Sequence, residues 1–171
     1  MSLEVETGSG SGSAESYASV ADADAHHSAR INTLWASLLT EEKEGALRRA
    51  TDYMEQTYRT LWDGVKTRSA QALSWPRANV PVEGAPGYFW AIDAVPEVVK
   101  RACIELAFRA AGGELEEDVE ALRKSSVRVG PITVNYSDRS PGAKSYPAID
   151  AWLSQFFATG GSTRYSAGVT R

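Results

Sequence analysis

Cysteine is nearly absent from this chain. Cys103 stands alone in 171 residues, which excludes a disulfide framework and a multi-cysteine metal site and suits a reducing compartment. Cys103 falls on an apolar stripe, so it is expected as a small core residue rather than a nucleophile. Histidine is almost as scarce: His26 and His27 are adjacent, diverge by about 100° on a helix, and do not easily share a metal ion. They are expected at the surface or in an interface. No apolar run approaches the length of a membrane span, and no basic segment followed by an apolar one marks a signal peptide. A phosphate-cradling glycine loop ending in Lys-Ser or Lys-Thr is missing. Gly8-Ser9-Gly10-Ser11-Gly12 has the letters of a nucleophile elbow, but it sits in a Gly/Ser run with no strand before it. These absences lead to the expectation of no enzyme, no cofactor and no metal.

A general excess of positive charge is missing too. The net charge is −4, which disfavours a dedicated nucleic-acid binder. The charge is uneven: residues 1–123 carry 20 acids against 12 bases, and residues 124–171 carry 6 bases against 2 acids. Such asymmetry can steer copies of the chain onto each other or onto a partner. The cluster Glu114–Glu120 reads as a solvated acidic helix face more readily than as a cation site. Five Trp and seven Tyr are many for this length, and aromatics in excess serve a small core or an interface.

The length suits one hydrophobic core. Residues 1–18 include Thr7-Gly8-Ser9-Gly10-Ser11-Gly12-Ser13 and are expected as a flexible arm, by composition. Ser19 is placed to cap a helix with Asp22 in its first turn. Thr40 is placed to cap a long helix in which Ala46, Leu47, Ala50, Tyr53, Met54, Tyr58 and Leu61 form one face. Residues 65–92 are too rich in Pro and Gly for a long helix and read as an ordered loop pinned by aromatics. Pro96 opens a second strong helix, with Val98, Val99, Ala102, Cys103, Leu106, Ala107 and Ala110 inward and Gly112-Gly113 at its end. A short helix is plausible over Glu114–Arg123. Val127, Val129, Ile132, Val134 and Tyr136 alternate around Gly130-Pro131, the pattern of a hairpin over 126–137. Pro147 introduces a last helix with Ile149, Trp152, Leu153, Phe156 and Phe157 on one face. The expected fold is therefore mainly α: a bundle of four to five helices over 19–158, one small β-hairpin, and extended N- and C-terminal arms, the latter at 159–171.

Five segments in order carry a family resemblance. They are Val5-Glu6-Thr7-Gly8-Ser9-Gly10 with Ser16-Tyr17-Ala18-Ser19-Val20-Ala21-Asp22-Ala23-Asp24, Ala46-Leu47-Arg48-Arg49-Ala50-Thr51-Asp52-Tyr53, Gln71-Ala72-Leu73-Ser74-Trp75-Pro76-Arg77, Ile92-Asp93-Ala94-Val95-Pro96, and Val129-Gly130-Pro131-Ile132. Together they resemble the head-to-tail connector or adaptor proteins of tailed bacteriophages, often labelled DnaT-like. The resemblance implies a structural protein of the virion neck, made in the host cytoplasm and assembled as a homo-oligomeric ring, commonly dodecameric. It implies portal and tail or neck proteins as partners, DNA passing through the ring without sequence-specific binding, and no membrane. It places Arg164, Tyr165 and Arg171 at the portal, and Trp75, Arg77, Tyr88, Phe89, Val129 and Ile132 between subunits. The alternative is a DnaT-like single-stranded DNA binder that stacks bases on aromatics such as Trp75, Tyr88, Phe89 and Trp90, with Arg68 and Arg77 on the backbone. Residues 65–90 hold Lys66, Arg68 and Arg77 against Glu83 alone, a local basic excess that favours it.

Overall fold

Ser19 opens the first helix as its sequence suggests. Its hydroxyl accepts from the Asp22 amide at 3.1 Å, and the Asp22 carboxylate accepts from the Ser19 amide at 3.1 Å, a reciprocal cap for α1 (Val20–Ser28). A short turn of helix, α2 (Thr33–Ala36), follows, with the Asn32 side chain accepting from Trp35 N. The long helix α3 is Thr40–Tyr58, and Thr40 is its first residue rather than its cap. The preceding Leu39 amide is satisfied by the Glu42 carboxylate at 2.8 Å. These observations come from a computed structural model, which describes residues 2–115, 126–129, 132–135 and 146–158.

The core lies between α3 and α4 (Glu97–Gly112). α3 buries Ala46, Leu47, Ala50, Thr51, Tyr53, Met54 and Tyr58, and α4 buries Val99, Ala102, Cys103, Ile104, Leu106, Ala107 and Ala110. The stripe read from the sequence holds, with Leu61 and Val98 only half-buried. Wholly buried Leu47, Met54 and Leu106 contribute on the order of 2 kcal/mol each by leaving water. The alanines of α4 let the helices approach closely. Cys103 sits in that seam with Thr51 Oγ1 at 3.4 Å, and burial pushes its thiol pKa up, as for an inert core thiol. The helix α5 (Pro147–Leu153) and a 3-10 turn (Ser154–Phe156) bury Ile149, Leu153 and Phe156, and the Tyr58 hydroxyl donates to Asp150 at 2.6 Å.

Between α3 and α4 the chain is irregular, and its first half is tied down by buried side-chain hydrogen bonds. Two short strands, β1 (Val65–Lys66) and β2 (Arg77–Ala78), pair antiparallel. Gln71 is buried and works in both directions: its Oε1 accepts from Arg68 N at 2.9 Å, and its Nε2 donates to the Leu73 and Pro76 carbonyls. The peptide between Trp75 and Pro76 is cis.

Residues 2–18, expected as a loose arm, pack on this same body. Ala14, Tyr17 and Ala18 are buried. The Glu6 carboxylate is buried as well, and it accepts from three amides: Gly8 at 2.8 Å, Gly10 at 3.0 Å and Ser11 at 2.8 Å. Gly8 has a φ of 110°, and a Cβ there would collide with the Asp93 carbonyl. The Tyr17 hydroxyl donates to the Glu55 carboxylate and accepts from the Ser74 amide at 3.0 Å and the Trp75 amide at 3.3 Å. Burial, then the adjacent Glu55 charge, holds the Tyr17 phenol well above its ordinary pKa, so it remains a donor.

A second unit, Glu116–Tyr146, contains β3 (Ser126–Val129) and β4 (Ile132–Asn135), paired antiparallel with Val129 opposite Ile132. This is the hairpin expected from the alternating pattern. The described chain is thus mainly helical with a small β-hairpin. The short helix expected over Glu114–Arg123 lies almost wholly outside the described residues. Among the described residues, no helix is long and apolar enough to cross a membrane.

Candidate nucleic-acid interface

The segment after β2 folds back on itself. Val82 N donates to Tyr88 O and Trp90 N to Val80 O, both at 2.9 Å, with Pro81 opposite Phe89. The turn closes through Ala85 N to Val82 O and Tyr88 N to Ala85 O, and Gly84 and Gly87 take left-handed φ values of 72° and 85°. The base of this tongue is rooted in the body: Val80 is buried beside Gly64, and the Trp90 ring lies 5.2 Å from the Phe156 ring. Its other two aromatic residues face water. Tyr88 is 70% exposed and Phe89 is 59% exposed, and Ile92 and Val65 are exposed as well. An ordered backbone thus holds two adjacent rings in solvent, where an apolar surface gains nothing from the fold itself.

The cations nearby differ in availability. Arg68 is exposed, its stem lying over Gly10, and its guanidinium has no partner among the described residues. Lys66 is exposed, with Nζ 3.4 Å from the Gln71 carbonyl. Glu83 and Asp93 are also exposed on 80–93, so the surface is close to balanced in charge. Strong attraction to phosphate is not built in here.

The residues singled out from the sequence fare differently. Trp75 is wholly buried, edge-on to Trp62 at 5.8 Å and to Phe156 at 5.3 Å, and it presents no face to a base or to another subunit. Arg77 is also buried. Its guanidinium donates to the carbonyls of Asp63 at 2.6 Å, Gly64 at 2.7 Å, Ser74 at 3.3 Å and Trp62 at 3.4 Å. Burial lowers its pKa, and the charge is spent holding the loop closed. Both therefore leave the interface and DNA-contact sets and become structural. Tyr88, Phe89 and Arg68 remain accessible. Val129 and Ile132 pair with each other in the second unit, and Arg164, Tyr165 and Arg171 lie outside the described residues. His26 meets Glu105 at 2.9 Å, while His27 is core, its ring tilted against those of Trp35 and Phe108. No group of three His, Cys, Asp or Glu side chains converges for a metal among the described residues. The sequence reading missed Ile92 and Val65, which carry no signal beyond being apolar. It also missed Glu6, whose only signal is an acid preceding a run of small residues rich in free amides.

Among the described residues, the body is mainly helical and the exposed aromatics Tyr88 and Phe89 sit on one hydrogen-bonded tongue. The chain belongs to the family described as "Putative DnaT-like ssDNA binding protein", whose model matches residues 1–171. No curated protein and no solved structure matches it. The family match overturns the head-to-tail adaptor assignment, and with it the oligomeric ring, the portal and neck partners and the passive passage of DNA. The physical reason is visible in the segments that carried the resemblance. The Trp75-Pro76-Arg77 loop and the Gly8–Gly12 run are spent inside the subunit, so they mark how this chain folds and not what it assembles with.

Proposed function

We propose that this chain is a non-enzymatic binder of single-stranded DNA that stacks bases on Tyr88 and Phe89, with Arg68 and Lys66 meeting backbone phosphates. The observation that carries this is the pair of rings held in water by a hydrogen-bonded tongue anchored at Val80 and Trp90. A base stacked on an aromatic side chain contributes about 1–3 kcal/mol whatever its identity. Affinity would then come more from stacking than from charge, which fits a chain of net charge −4. Two phosphate contacts would give a slope of log affinity against log salt of about −1.4, at about −0.7 per contact for single strands.

The test is fluorescence anisotropy of a labelled oligo-dT titrated with the full chain at several salt concentrations. Wild type should bind with that shallow salt slope, and Tyr88→Ser with Phe89→Ser should weaken binding by at least about thirtyfold, the lower end of two stacking contacts. Absence of binding at low salt, or equal affinity in the double variant, would sink the proposal.

A further inference from the structure

A second exposed apolar patch lies at the corner of α1, α2 and α3, built differently from the aromatic tongue. Within nine residues, Ile31 is 86% exposed, Leu34 69% and Leu39 66%. Beside them opens a shallow groove of about 400 Å³, lined by His27, Ile31, Asn32, Trp35, Ala36 and Lys43. Its floor is firm. The Trp35 indole N–H donates to Asp24 at 2.8 Å, and Lys43 Nζ pairs with Asp24 at 2.9 Å while lying 5.8 Å from the Trp35 ring centroid.

Ile31 is the telling residue. α1 ends with Ile31 N donating to Ser28 O and Asn32 N to His27 O, both at 3.0 Å. This crossed pair places Ile31 at the left-handed position of a helix C-terminus, usually glycine. Its φ is 55°, which a β-branched side chain adopts only under strain. The strained side chain then points into solvent, so the fold recovers nothing from it. A residue that costs stability and makes no internal contact is accounted for by an external one.

The charge around the patch selects what that contact is. Residues 19–44 carry Asp22, Asp24, Glu41, Glu42 and Glu44 against Arg30 and Lys43. Lys43 is paired with Asp24 and Arg48 with Glu44, and Lys100 acts on Asp22; the exposed Arg30 guanidinium donates to the His26 carbonyl at 2.9 Å and keeps its charge, so Asp22, Glu41 and Glu42 stand against Arg30. The outward charge is negative, which repels phosphate and anionic lipid alike. We propose that this corner docks a protein segment of basic and aliphatic character, leucine-type side chains entering the groove over Trp35 and flanking Lys or Arg meeting Asp22, Glu41 and Glu42.

The probe is a synthetic amphipathic peptide of Leu and Lys, with a matched peptide of Leu and Glu, titrated into the full chain and followed by amide and methyl NMR shifts. The Leu/Lys peptide should bind saturably with shifts confined to residues 27–43, and binding should weaken with salt; the Leu/Glu peptide should not bind. Ile31→Gly should weaken the peptide by about tenfold, as for an anchor residue, while raising Tm, since it relieves the strain. Leu34→Ser should weaken the peptide and leave Tm unchanged. Oligo-dT affinity should not move in either variant, which separates this surface from the aromatic tongue. Equal binding of both peptides, no saturation, or a fall in Tm in Ile31→Gly would overturn the proposal. So would self-association of the wild type abolished by Ile31→Gly, or phosphatidylserine vesicles binding through Ile31 in place of the peptide.

Discussion

Residues 4–16 and residues 80–92 are both irregular, yet the first turns polar groups inward and the second turns apolar groups outward. The Gly/Ser segment wraps its amides around the buried Glu6 carboxylate and adds Ser11 and Ser13 hydroxyls donating to Glu4 at 2.9 and 2.6 Å. The aromatic tongue is tied by its own backbone and by Val80 and Trp90, leaving Tyr88 and Phe89 in water. Composition alone assigns glycine and serine to a flexible tether, and leaves aromatics open between the core and an interface. The difference lies in where each segment's hydrogen-bond accounting closes. A run rich in amides becomes rigid when one charged acceptor gathers them, because that acceptor satisfies several donors at once.

The comparison breaks most visibly at Glu6. Glu6→Ala should destabilise the fold by about 3 kcal/mol, because three amides lose a charged acceptor; Glu6→Gln should cost less. Urea unfolding measures both, and a loss below about 0.5 kcal/mol for Glu6→Ala would mean the segment is a loose arm after all. Glycines sharpen the contrast. Gly8→Ala meets both a left-handed φ and the Asp93 carbonyl and should cost about 2 kcal/mol. Gly87→Ala in the tongue meets open space and should cost about 1 kcal/mol, the backbone penalty alone. At the tip, Tyr88→Ser and Phe89→Ser should change stability by no more than about 0.5 kcal/mol each while reducing DNA affinity. Melting and anisotropy on the same samples test that separation.

Neither segment contains histidine, so the smallest effect lies elsewhere and serves as a control. Burial, reinforced by neighbouring His26, holds the His27 imidazole below its ordinary pKa. The unfolded chain therefore takes up a proton that the folded one resists. Stability is present above the ordinary value of about 6.5 and is lost as pH falls below it towards the folded value. His27→Phe should flatten that decline in denaturation curves taken across mildly acidic pH, with both loops unaffected.

The helices were legible because their burial repeats with the helical period. Ala46, Leu47, Ala50 and Met54 face inward as the spacing predicts, and Ser19 caps as its position suggests. The hairpin around residue 130 followed from its alternation. The site was only partly legible. Trp75 and Arg77 looked like contacts for a partner because tryptophan and arginine are common at interfaces, but their fate depends on Phe156 and on carbonyls 3 to 15 residues away in the chain. Tyr88 and Phe89, expected between subunits, are exposed, yet nothing local distinguishes them from Trp90, one residue further on and half-buried. What separates them is reach to the body: the Trp90 ring lies 5.2 Å from the Phe156 ring, while Tyr88 and Phe89 lie nearer the turn. Ile31 escaped notice for a related reason: its strain exists only once α1 stops where it does.

The hydroxyl of Tyr17 has a practical consequence. It sits beneath the Ser74 and Trp75 amides and against Glu55, so the opening stretch of the chain forms part of the floor on which the central loop rests. A shortened version beginning at the first helix, the natural choice for anyone trimming a glycine-serine leader, would strip that floor away. The Ser74 and Trp75 amides would then lose the hydroxyl they donate to.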